Sequence, residues 1–123
     1  MNGTSNPAVV IKAVFEGTVT PVYNKEILEE YQDVLLRAKF PFNLEQIDTI
    51  ISVFRDVGVE TERTPVINET FPDPDDKLFY EVAISIEDAL LVTGNKKHFP
   101  EKPFVITPSE MVAIIIDNIT LPY

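Results

Sequence analysis

Cysteine is absent from the 123 residues, which excludes disulfide staples and thiolate metal sites. No apolar run reaches the roughly 18 residues a membrane span needs, and Met1 is followed by polar residues instead of a basic-then-apolar leader. The expectation is a cytoplasmic protein without a membrane partner. Basic residues are scarce: 10 Lys and Arg face 20 Asp and Glu, a net charge of -10. Capture of nucleic acid by broad surface electrostatics needs a basic stripe that displaces counterions, and this balance argues against it. Also missing are an internal repeat, a Gly-rich phosphate loop, a Ser/His/Asp ordering and a zinc-spaced ligand set. The Asn-x-Thr triplets at Asn2, Asn68 and Asn118 then read as chance sequons.

What is present is a globular balance, 45% apolar and 24% charged, in a length that suits one domain over residues 1–123. The acid excess suits divalent cations or a basic protein partner, and equally serves solubility alone.

Pro7 opens a helix over Ala8 to Glu16 with Gly17 as its stop, and Thr18 to Tyr23 follows as a short strand made irregular by Pro21. Asn24 caps a second helix to about Arg37, whose stripe is Ile27, Leu28, Tyr31, Val34, Leu35 and Ala38. At 100° per residue Glu30 falls on the border of that stripe and Glu29 faces away. From periodicity alone, an ordinary flanking charge reaching to water explains Glu30 better than a site does. A basic, aromatic link at Arg37 to Phe42 precedes a third helix, Leu44 to Val57, with Leu44, Ile47, Ile50, Ile51 and Phe54 inward and Gly58 closing it. Val59 to Val66 alternates weakly, as an outer strand does.

The stretch from Phe71 to Asn95 organises the chain. Asp73 is a helix cap and Pro74 the first helical residue, which puts Asp75 and Asp76 in the first turn. Leu78, Phe79, Val82, Ala83 and Ile86 form one face. Ala89 to Thr93 is a short apolar strand ending in the polar turn Thr93-Gly94-Asn95. Lys96, Lys97 and His98 are the densest positive charge, and a lone His beside two Lys reads as solvated. Phe104 to Ile106 is a last strand. Thr107-Pro108-Ser109-Glu110 is a capping box launching Met111 to Asp117, with a frayed tail after it. Alternating helices and strands with crossover-length connections predict an α/β fold, a parallel sheet with helices on both faces. Ligands of such sheets bind at the carboxyl ends of the strands, where Glu30, Asp75, Asp76 and Asn95 can converge.

Five stretches in register resemble the PIN domains of toxin-antitoxin pairs: Tyr23 to Tyr31, Arg37 to Phe40, Asp73 to Lys77, Leu91 to Asn95 and Val105 to Glu110. The resemblance covers nearly the full chain. It implies a three-layer αβα sandwich and Mg²⁺- or Mn²⁺-dependent RNA cleavage by clustered acids. Glu30 matches the acid of the second helix, Asp76 the acid opening the helix before the fourth strand, and Asp75 is its neighbour. Asn95 stands where many PIN domains have an Asp, which makes a fourth ligand neutral. PIN domains open with a buried central strand ending in a metal-binding Asp, and neither that strand nor that Asp is found ahead of Pro21. Its neighbours are expected to need an upstream start, a remodelled sheet, a tail segment or a partner chain in that place, because each buried unpaired backbone group costs about 1–3 kcal/mol.

Three readings follow. One is a ribonuclease weakened by the missing acid, with Arg37, Lys96 and Lys97 near the RNA backbone. Another is an inactive module that binds an antitoxin or a second copy of itself through open sheet edges. The last is a structural remnant whose acids merely complement a helix dipole.

Overall fold

The computed structural model describes residues 5–37 and 43–120, with the side chains at 34, 37 and 118–120 outside that description. Each helix start has a local chemical cause. In α1 (Asn6–Phe15) the Ser5 hydroxyl accepts from the Ala8 amide at 3.4 Å, and Pro7 occupies the first turn where no amide is needed. Gly17 then takes a φ of +80°, a left-handed turn that a side chain would strain. Ahead of α2 (Lys25–Arg37), Asn24 accepts from the Ile27 amide at 2.8 Å. Helix α3 (Leu44–Val57) starts on a reciprocal cap in which Asn43 and Gln46 each accept from the other's backbone, at 2.8 and 2.9 Å. Helix α4 (Pro74–Ala83) has Asp73 as cap, and α5 (Pro108–Thr120) starts on the Thr107–Glu110 box.

The strands are short and parallel. β1 (Val22–Tyr23) pairs with β2 (Val59–Glu60) in the register Val22 to Val59, and β3 (Leu91–Val92) pairs with β4 (Val105–Ile106) in the register Leu91 to Val105. The fold is α/β with parallel strands, as expected from the alternating pattern. Among the described residues the strands form two separate pairs, β1–β2 and β3–β4. Helix α4 contacts both β1 and β3.

Several expected boundaries move. The strand over Val59 to Val66 stops at Glu60, because the chain beyond it turns its backbone toward α4: the Thr64 amide donates to the Glu81 carbonyl at 3.3 Å and the Val66 amide to the Glu81 carboxylate at 2.6 Å. Ile86 lies beyond α4, which ends at Ala83, and Leu44 is exposed at the mouth of α3. α5 continues through Thr120 where a frayed tail was expected. Residues 38–42 lie outside the described residues, so the basic, aromatic link does too.

Among the described residues the core falls into four clusters. Ile47, Ile50 and Phe54 of α3 close on Leu35 of α2 and Val14 of α1. Ala13 of α1 meets Met111 and Ile115 of α5 and Ile106 of β4. Helix α4 serves two clusters at once. Leu78 and Val82 pack on Tyr23 and Ile27, while Tyr80 and Ala83 pack on Leu91 and Val105. Covered on two sides, α4 buries Tyr80 and Glu81 as well as its apolar face. No helix among the described residues is long and apolar enough to cross a membrane.

Candidate functional site

The start of α4 and the turn after β3 come together. Asp73 Oδ1 accepts from the Asp75 amide at 2.9 Å, which fixes the first turn and brings Asp76 inward. Asp76 is one-fifth exposed, and its Oδ2 is buried with no hydrogen-bond partner among the described residues. His98, in the 3-10 turn Lys96–His98, brings Nδ1 to 3.3 Å from that oxygen. Lacking an aligned hydrogen bond, the contact is electrostatic. Burial pushes the Asp76 carboxyl above its ordinary range, His98 opposes the rise, and the charges of Asp73 and Asp75 add to it. His98 is exposed, as expected of a solvated ring, and at the same time it stands against the part-buried carboxylate of Asp76.

The other anticipated residues lie around this contact. Asn95 is exposed; its amide donates to Thr93 Oγ1 at 3.0 Å and its carbonyl accepts from the His98 amide at 2.9 Å, while its side chain makes no cap bond. Lys96 reaches Glu110 at 3.3 Å in a half-exposed pair, the kind worth little in stability. That pair joins the residues following β3 to the first turn of α5, which follows β4. Lys97 is exposed beside His98. Arg37 carries a side chain outside the description. Glu30 is half-buried on α2 and Glu29 is exposed, as the stripe geometry requires. Helix α2 packs directly on α4, through Ile27 on Leu78 and Val82 and through Tyr31 on Phe79, whose ring centres are 5.8 Å apart. The elements carrying Glu30 and Asp76 are thus neighbours.

The buried oxygen of Asp76 suits a hard cation. Even so, among the described residues no group of three or more acidic, His or Cys side chains is placed to hold a metal ion. The donors as placed do not fit Mg²⁺ or Mn²⁺, which demand several oxygen ligands at once.

The acid that sequence periodicity missed is Glu81, buried within α4. Burial raises its carboxyl, but the Val66 amide and Arg63 outweigh that effect and hold it below the ordinary value. Arg63 also reaches Glu26 at 2.9 Å. No spacing rule flags Glu81, because it lies off the apolar stripe of α4 and is covered only by the second side of the packing.

Short parallel strands alternating with helices define an α/β protein, with an acid-bearing helix start beside a Lys-Lys-His turn. The PIN domain family matches residues 1–97, and the chain belongs to that family. PIN domains are generally nucleases and typically use Mg²⁺ or Mn²⁺. No curated protein and no solved structure matches the chain.

Proposed function

We propose that this protein is a cytoplasmic PIN-type endoribonuclease, the toxin of a toxin-antitoxin pair, and that the chain as it stands is weakly active. One observation carries the reading: Asp76, one-fifth exposed, keeps a buried carboxylate oxygen without a hydrogen bond among the described residues, 3.3 Å from His98. A structural acid is expected to be satisfied, as Glu81 is. In this reading Glu30, Asp75 and Asp76 are the acids that would supply part of a metal site, Asn95 would orient water through its amide, and Arg37, Lys96 and Lys97 would approach the RNA backbone. The donor set is incomplete, which is the reason for weak activity. The two strand pairs are taken as parts of one three-layer sandwich whose remaining strand place lies between β1 and β3. That view is supported by α4 contacting both strands and by each pairing on one side among the described residues.

The test is cleavage of single-stranded RNA by the purified chain in Mn²⁺, with Glu30→Gln and Asp76→Asn beside it. Slow cutting abolished by both substitutions supports the reading. Cutting at an unchanged rate in both removes the site assignment.

A second reading, a catalytically idle module that binds an antitoxin or another copy of itself, draws on exposed apolar side chains such as Ile67, 89% exposed, and Leu44, 60% exposed. It predicts a sedimenting assembly and no effect of Mg²⁺ on melting.

A further inference from the structure

The segment leading into α4 and the turn following β3 line an open hollow of about 490 Å³, bounded by Glu69, Phe71, Pro72, Lys97, His98 and Phe99. We propose that this hollow is a subsite for one unstacked nucleobase of an RNA strand, with guanine preferred over uracil. The inference rests on the ribonuclease reading and adds to it a place and a preference.

The volume falls within the roughly 300–1,000 Å³ of ligand-binding clefts. Its apolar wall is built from two rings. Phe71 and Phe99 have centroids 6.3 Å apart and planes 73° apart, so a flat base stacks on one ring and meets the edge of the other. Both rings are half-buried and line the hollow. The wall is braced from behind, with Phe71 at 5.3 Å from Tyr80 and Tyr80 at 5.6 Å from Phe104. A platform held in this way loses little freedom when a base lands on it. Every base has a π-face, so this wall accounts for binding but not for choice.

Choice comes from Glu69. Its carboxylate borders the hollow and lies 3.8 Å from the Lys102 ammonium, which holds it on that side. Guanine presents adjacent N1–H and N2–H donors that one carboxylate can accept together. Uracil presents a single N–H between two carbonyls, which the carboxylate repels. Lys97 on the rim supplies a cation for the adjoining phosphate. His98 borders both the hollow and Asp76, so a strand with its base seated here runs its backbone past the candidate acids.

The experiment is fluorescence anisotropy on the full chain with short single-stranded RNAs: one rich in guanosine, one in uridine, and one with an abasic position in place of the seated base. Expected results are tighter binding of the guanosine strand, about tenfold weaker binding of it by Phe71→Leu and Phe99→Leu, and no change for either variant on the abasic strand. Glu69→Gln is expected to narrow the guanosine-over-uridine ratio. Because the rings border the core, guanosine monophosphate is also titrated against the unsubstituted chain, where shifts of the Phe71 and Phe99 ring resonances are expected. Loss of binding that is equal for the abasic strand, or unmoved ring resonances, overturns the subsite. If the chain binds or cuts RNA while both Phe variants behave as the parent, the subsite alone falls. If the parent neither binds nor cuts RNA, the ribonuclease reading falls first and the subsite with it.

Discussion

Arg63 grips Oε1 of Glu81 through both Nε and Nη2, each at 2.7 Å, while the other Glu81 oxygen accepts from the Val66 amide at 2.6 Å. Three donors converge on a side chain that is 4% exposed. The pair ties the segment after β2 to the middle of α4, and Arg63 extends the tie to Glu26 on α2. It is a structural device at the heart of the helix whose first turn carries the candidate site.

Replacing Glu81 by Ala is expected to destabilise the protein by about 3 kcal/mol, the low end for breaking a buried pair, because Arg63 keeps access to water. The Val66 amide also loses its acceptor. Urea denaturation followed by circular dichroism measures the change. An unaltered midpoint at unaltered slope shows that the pair does not hold the fold together.

The same contact sets a pH dependence. Glu81 has a folded-state carboxyl depressed below its unfolded value, so its contribution is fully present above the ordinary Glu range and lost as pH falls through the folded value. Stability is expected to decline on acidification from about pH 4.5 downward, and this part of the decline is expected to vanish in Glu81→Gln. Denaturation midpoints of the parent and the variant across that window supply the comparison. Parallel declines refute the assignment.

Gly58 sits where α3 gives way to β2, and a methyl group there would collide with the Phe54 carbonyl, stand 2.8 Å from the Pro21 carbonyl and 3.0 Å from the Tyr23 ring. Two of these neighbours are backbone and cannot swing aside. Gly58→Ala is expected to cost about 1–3 kcal/mol by forcing β1 and β2 apart. Faster amide exchange at Val59, which donates to Pro21 at 2.9 Å, is the local signature. Full protection there in the variant contradicts the argument.

Asp76 is expected to behave oppositely to Glu81. Its folded-state carboxyl is raised, so the charged form costs stability above that value and the cost is relieved as pH falls through it. Asp76→Asn is therefore expected to keep the melting temperature at neutral pH or lift it by about 2–4 °C, while abolishing any RNA cleavage. Differential scanning calorimetry beside the cleavage assay separates the two effects. A fall in melting temperature makes Asp76 a structural acid.

Much of the fold was legible because helix starts are local chemistry. Asn24, Asp73 with Pro74, and Thr107 with Glu110 each cap within three residues, so the places where α2, α4 and α5 begin follow from neighbours in the chain. The strands were located but drawn too long, as at Val59 to Val66, because pairing length depends on what the next segment bonds to. At the site, the half-buried state of Glu30 and the placing of Asp75 and Asp76 in a first turn were readable from period and capping. The partnership of His98 with Asp76 was not, since it joins residues 22 positions apart across two elements.

Chain-local patterns thus decided the alternation of helices and strands, their caps and the membership in a family whose motifs are short and ordered. Packing decided which acids find hydrogen-bond partners. Glu81 and Asp76 lie five positions apart on one helix, yet the first is satisfied by Arg63 and Val66 while the second has a buried oxygen without a hydrogen bond among the described residues. Burial and partners are set by what covers α4 on its β1 and β3 sides, and that is a property of distant segments brought together.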